Sequence, residues 1–407
     1  MKLNNLLTGK SKTLLLAVCM LTSFFILLPN FIRVIYYQMA PYSENEVVIT
    51  TVNYKSEVDG EENIIVGNLF KPSPKHGDEK YPAIIACHPF WNGLGKELMH
   101  RWCVELAKRD FVVLAIDLPG YGMSIGEMDF CPREDFEPYI LEDGIKYLKH
   151  LDYVKGSRIG LLGHSYGGTA VLMTAGVLGD YVDATVSLNG MSNVTNVIIE
   201  RLFPDFDVEF TVKGSYIEIE EVDGKKVTSS NIKELLKMYG IIRGDERIME
   251  DLIISGTNRF DRNFLKQFDP VEHLHNVKDD SVMFIHSEHD KMFAETNQSG
   301  QGYKEILKAG KKAYYLLLDD NHPFSYDTEY TVDYCVINFF EEKLKDVDLS
   351  EDWNNDLEKY SQERDIELGF APIYGNELLN ECLIYFVLSL IPFFILIKII
   401  FYNKKIA

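Results

Sequence analysis

Ser165 stands in Gly163-His164-Ser165-Tyr166-Gly167, between an apolar run at 158–162 and a helix-like run at 169–177. A serine hydroxyl is a weak nucleophile. To attack a carbonyl carbon it needs its oxygen exposed on a sharp turn, a base to take its proton, and backbone N–H groups where negative charge collects. A strand, a tight turn and a helix provide that setting, and glycines two residues to either side let helix and strand approach closely around a strained serine. The chemistry expected is acyl transfer through a covalent serine intermediate.

The base must be a histidine whose tautomer is fixed by a third group. Two residues stand in the right places, each after a later apolar run. Asp290 follows 281–285 in His286-Ser287-Glu288-His289-Asp290, and His322 follows 313–318 in Asp319-Asp320-Asn321-His322-Pro323-Phe324. The carboxyl ends of parallel strands share one rim of a sheet, so Ser165, Asp290 and His322 are expected on the same rim. Glu288 is an alternative acid in the same short loop. His88, His164, His286 and His289 lie near that rim without metal-ligand spacing, so they read as structural hydrogen-bonders. Ser124 reads as a turn residue, and no metal or organic cofactor is implied.

Positioning these groups takes a framework of alternating elements. Runs at 47–54 and 63–70 flank Asp59-Gly60, a hairpin signal, and buried-type strands are expected at 83–87, 111–117, 158–163, 184–188, 281–285 and 313–318. Helical patterns at 97–108, 137–150, 169–177 and 303–309 lie between most of them. The fold class is therefore α/β: a mostly parallel eight-stranded sheet with helices on both faces. One long interruption, 191–280, reads as an inserted subdomain with a hairpin at 216–228 around Asp223-Gly224 and helices at 231–239 and 246–254. Over the carboxyl ends of the strands its natural role is a lid; the alternative is decoration.

With these residues in place, the chain resembles the α/β-hydrolase superfamily over roughly 47–344, whose triad runs serine, acid, histidine. Cys87-His88-Pro89-Phe90-Trp91 looks like its oxyanion loop, and Asp117-Leu118-Pro119-Gly120-Tyr121-Gly122-Met123-Ser124 like its turn after the fourth strand. The opening strands, the Asp143-Gly144 helix and 163–168 are most similar to the dienelactone-hydrolase-like and prolyl-oligopeptidase-like branches. Dienelactone hydrolases carry cysteine where this chain has Ser165, so their lactone substrate does not transfer. Pro89 has no N–H to donate, so the resemblance implies oxyanion donors at Phe90 and, after the nucleophile, Tyr166. It implies a serine hydrolase, esterase-like, cleaving a carboxylic ester or related acyl bond of a small-molecule or lipid-like substrate. A peptidase or acyltransferase using the same triad, and a catalytically inactive surface binding protein, are the alternatives; no propeller-length repeat precedes the domain.

The 407 residues are 46% hydrophobic with a formal net charge of -21, a globular composition that opposes binding to nucleic acid. The ends differ from the body. The segment 13–32 is uncharged, and 382–402 is apolar except for Lys398; each is long enough to span about 30 Å of hydrocarbon. Lys2, Lys10, Lys12, Lys404 and Lys405 lie on the outer flanks, and Glu44, Glu46, Glu377 and Glu381 on the inner ones. By the positive-inside rule both termini are cytoplasmic and the body is extracytoplasmic. A cleaved signal peptide is the alternative for the first span, although Ala40 lacks a small residue two positions before it. The expected organisation is a tail 1–12, a transmembrane helix 13–37, the α/β-hydrolase domain 41–344, an acidic linker 345–378, a transmembrane helix 379–402 and a tail 403–407. Six cysteines make no disulfide scaffold in a chain of this size, and buried thiols are expected, with a Cys103–Cys131 bridge left open.

Overall fold

Eight strands form one sheet. They are β1 (Val47–Val58), β2 (Glu61–Pro72), β3 (Tyr81–Cys87), β4 (Val112–Ile116), β5 (Val154–His164), β6 (Ala184–Leu188), β11 (Val282–Ser287) and β12 (Tyr314–Leu318), in the order β1-β2-β4-β3-β5-β6-β11-β12. β1 pairs antiparallel with β2 and β2 antiparallel with β4, whereas every later pairing is parallel. Every residue of β3, β4 and β6 is buried. Such strands read as continuous apolar runs because both sheet faces are covered.

This computed structural model describes residues 46–347 except 59, 74–79, 91–94, 127–131, 198–207, 223, 233–252, 291–297 and 323–325. The chain divides into two units, Asn45–Gln362 and the combined ends Met1–Glu44 and Glu363–Ala407. All described residues belong to the first. The expected spans 13–37 and 379–402 lie outside them, and among the described residues no helix is long and apolar enough to cross a membrane.

Among the described residues the α-helices are α1 (His100–Lys108), α2 (Glu137–Lys149), α3 (Tyr166–Leu178), α4 (Arg262–Lys266), α5 (Ser299–Lys308) and α6 (Tyr326–Lys345). Residues alternate across β5: Ile159 and Leu161 join the core that holds Ile140, Leu141 and Ile145 of α2, while the α-carbon of Gly160 faces Phe340 and Leu344 of α6. Helices therefore cover both faces, as the alternating pattern predicts. α3 is buried along almost its whole length and apolar all round, the signature of a central helix.

Inside 191–280 a second sheet runs β10-β8-β7, built from β7 (Val208–Lys213), β8 (Tyr216–Val222) and β10 (Arg259–Asp261), with β9 (Lys225–Lys226) also paired to β8. β8 and β9 form the predicted hairpin, and β7 and β10 extend it. The helices expected at 231–239 and 246–254 fall largely outside the described residues; of their described ends, Ile253 makes a strand-like bridge to Phe260. The last part of the segment packs on the body, where Leu274 and Val277 join Leu172, Ala175, Val282, Phe284 and Ile306 in one core.

Candidate active site

Ser165 sits between β5 and α3 at φ 54, ψ -114, a left-handed conformation that a non-glycine residue adopts only when its surroundings impose it. Those surroundings are specific. Its N–H donates to Leu188 O at 2.7 Å, which ties the turn to β6, and its O accepts from Thr169 N at 3.0 Å to start the helix. A Cβ on Gly163 would lie 2.0 Å from Gly167 O, and one on Gly167 would lie 2.2 Å from Cys87 O. Side chains at 163 and 167 are excluded because strand, helix and the loop after β3 cross there.

The loops after β11 and β12 bring Asp290 and His322 together. His322 Nδ1 lies 2.9 Å from Asp290 Oδ2, with the Asp290 side chain fully shielded and that of His322 7% exposed. A carboxylate only accepts, so Nδ1 carries the proton and Nε2 keeps its lone pair, the tautomer a general base needs. The His322 ring stacks on that of His164, centroids 5.5 Å apart at 26°, and Trp102 meets the His164 ring edge-on at 5.8 Å. His322 is thereby held beside the residue that precedes Ser165.

A polar network fixes this rim. Asn189 Oδ1 accepts Ser287 N at 2.8 Å, Asn189 Nδ2 donates to Ser287 Oγ at 3.1 Å, and Ser287 Oγ donates to Asn321 O at 2.8 Å, one residue before His322. The two loops are also stitched by Glu288 N to Leu318 O at 2.8 Å and His289 N to Asp320 O at 2.9 Å. Glu288 is exposed, so of the two acids in this loop it is Asp290 that turns inward. His289 is exposed as well and pairs with Asp319 at 2.8 Å.

The loop after β3 lies against the first turn of α3, held by Gly167 N donating to His88 O at 3.0 Å. This places Phe90 near Tyr166, with ring centroids 6.3 Å apart, and Tyr121 completes an aromatic group at 5.9 Å from Phe90 and 6.0 Å from Tyr166. The Tyr166 hydroxyl donates to the buried Glu137 at 2.9 Å. His88 is fully buried: its Nε2 accepts Leu118 N at 3.1 Å, so its Nδ1 carries the proton toward Pro89 O at 2.9 Å. Burial lowers its pKa from the ordinary imidazole value, so it is a neutral brace between two loops.

Asp117 braces the second of those loops. It accepts Lys96 N at 2.7 Å, Lys96 Nζ at 2.6 Å and Met123 N at 2.9 Å, with Asp117 and Lys96 both buried. Ser124 is the turn residue its sequence indicates, donating to Asp117 O at 2.7 Å and accepting from Val66 N at 2.8 Å. Cys87, Cys103 and Cys335 are buried free thiols, which removes the Cys103–Cys131 bridge.

The inserted segment is stapled at both ends. Asp269 accepts Thr195 N at 2.7 Å and Thr195 Oγ1 at 2.6 Å, and Gln298 Oε1 accepts Ser192 N and Asn193 N, each at 3.1 Å. Burial raises the Asp269 carboxyl to about 7, outweighing the hydrogen bonds from Thr195 that favour its charged form. Trp102, Asn189 and Ser287 join the site through contacts across the fold, which spacing along the chain does not reveal.

The elbow, the strand order and the rim loops define a class, and a profile described as alpha/beta hydrolase fold matches residues 82–329, more than half of the chain. The chain belongs to the alpha/beta hydrolase family. It is similar to Protein usf of Aquifex pyrophilus, 26% identical over 195 residues that make up 45% of this chain and 82% of that protein. Esterase FrsA of Vibrio cholerae is 28% identical over 139 residues, 34% of this chain and 32% of the esterase. Among solved structures, a puromycin-hydrolyzing peptidase of Mycobacterium tuberculosis superposes with a TM-score of 0.54 at 13% identity, covering 75% of this chain and 40% of the peptidase. That likeness is one of fold. The chain thus spans about a third of the esterase and two fifths of the peptidase.

Proposed function

We propose that this chain is a serine hydrolase that cleaves a carboxylic ester, or a related acyl bond, through an acyl-enzyme. The observation that carries this reading is the pairing of Asp290 with His322 at 2.9 Å, the His322 ring being stacked on the residue before a strained Ser165. His322 Nε2 takes the Ser165 proton as Oγ attacks the carbonyl carbon. Negative charge moves to the carbonyl oxygen, held by the N–H groups of Phe90 and Tyr166. Collapse expels the alcohol, which takes the proton from His322. Water, deprotonated by the same imidazole, then attacks the acyl-enzyme and frees the acid and Ser165. Asp290 keeps the Nδ1 proton in place and stabilises the imidazolium.

The segment 191–280 acts as a lid that selects the acyl group, supported by the bonds of Asp269 and Gln298 that pin its ends. Apolar segments 13–32 and 382–402 with outer lysines support a protein anchored at both ends, termini cytoplasmic and hydrolase domain outside. A panel of acyl esters of graded chain length tests the activity. Turnover by the wild-type chain with none by Ser165→Ala supports the reading, and equal turnover by both removes it.

A further inference from the structure

Two imidazoles face one oxygen of Asp290. His322 reaches Oδ2 from the loop after β12 through Nδ1 at 2.9 Å, and His286 reaches the same atom from β11 through Nε2 at 3.4 Å. The side chains of His286 and Asp290 are both 0% exposed. On its far side His286 Nδ1 meets Ser299 Oγ at 2.7 Å, and Ser299 opens α5.

One protonation pattern suits every group. A proton on Nδ1 would leave the Nε2 lone pair facing a carboxylate in a dry site, which is repulsive. A proton on Nε2 gives Asp290 a second donor, and Nδ1 then accepts from the Ser299 hydroxyl, whose other acceptor, Gly190 O, is farther away at 3.5 Å. At 3.4 Å the His286 donor is long, as hydrogen bonds in free active sites commonly are before substrate tightens them.

We propose that His286 is a positioning residue for Asp290: it anchors the carboxylate from the body side, so that Oδ2 stays aimed at His322 Nδ1 while charge develops on that ring. The proposal rests on the roles given above to Asp290 and His322. Other polar groups lie around them among the described residues. His164 of β5 stacks on His322, Glu288, His289 and Asp319 face solvent, and the buried Asp320 accepts Asn321 N at 2.7 Å. Ser299 of α5 is neutral, and among the described residues His286 is a titratable group that meets Asp290 Oδ2 together with His322.

The test compares full-length His286→Phe and His286→Gln with the wild-type chain. Phenylalanine fills the volume without a donor, while glutamine places an amide N–H near the position of Nε2. In ester hydrolysis His286→Phe is expected to lose about 10- to 100-fold in kcat, the scale seen when an outer hydrogen-bond partner is removed, with KM within about twofold. Its acid limb in kcat/KM moves to higher pH, because a carboxylate with one donor fewer favours the His322 imidazolium. His286→Gln restores kcat to within about threefold. Ser299→Ala gives the same direction at smaller size and stands in if His286→Phe does not fold. The downfield proton resonance of His322 Nδ1–H reads the geometry without turnover: it moves in His286→Phe and returns in His286→Gln. Wild-type kcat, an unmoved acid limb and an unmoved resonance in His286→Phe overturn the proposal, as does a glutamine variant no better than phenylalanine at equal thermal stability. If the wild-type chain hydrolyses no ester and takes no label at Ser165, the functional reading fails, and the resonance alone decides the role of His286.

Discussion

The imidazole of His322 stacks on that of His164, centroids 5.5 Å apart and nearly parallel. The residue before the elbow serine thus forms a platform for the ring that Asp290 holds by its edge. Edge and face together leave the imidazole little freedom to turn.

His164→Phe keeps an aromatic platform and is expected to retain kcat within about threefold, whereas His164→Ala removes it and loses about tenfold or more. Steady-state ester hydrolysis measures this, with thermal unfolding to separate loss of packing from loss of positioning. Equal kcat in the two variants removes the platform role.

Asp290→Asn presents an N–H to His322 Nδ1 and favours the tautomer with its proton on Nε2. That ring cannot accept the Ser165 proton, so kcat falls by about a thousandfold or more while the shape of the site persists. Glu288→Gln, on the exposed side of the same loop, leaves kcat unchanged. The reverse ranking in a turnover assay moves the acid to Glu288.

Lys96 and Asp117 form a buried ion pair at 2.6 Å. Lys96→Met leaves the carboxylate with backbone donors alone and is expected to cost about 3 kcal/mol of stability, because an uncompensated charge remains inside. Thermal unfolding reads the loss; a variant as stable as the wild type contradicts it.

Asp269 supplies the pH dependence. Its carboxyl is raised to about 7 by burial, against about 3.9 in an unfolded chain. Between those values the folded state binds a proton that the unfolded state lacks, so this group makes stability fall as pH rises from about 4 to about 7, by an amount on the order of a few kcal/mol. Asp269→Asn keeps an acceptor for Thr195 N and removes the titration. Its unfolding temperature relative to wild type is expected to climb across that window and level off above it. Parallel curves contradict the assignment.

β3, β4, β6, β11 and β12 were legible as short runs rich in apolar residues, and β1 and β2 through the hairpin signal Asp59-Gly60 between them. Asp290 and His322 each stand just past an apolar run in the sequence, and the fold brings the two side chains together. β7 and β10 were not legible: each depends on pairing with β8 for its strand conformation, and β10 has only three residues. α6 carries a readable trace, since the buried Val332, Val336, Phe339 and Phe340 repeat at helical spacing. The approach of His286 to Asp290 depends on how the three residues between them bend back, which spacing alone does not encode.

The most direct measurement exposes the full-length chain to a fluorophosphonate and locates the adduct by peptide mass spectrometry. A single phosphonylated residue is expected, Ser165, with labelling abolished by Ser165→Ala and slowed by Asp290→Asn. An adduct on another serine, or labelling of Ser165→Ala at the wild-type rate, contradicts the proposed nucleophile.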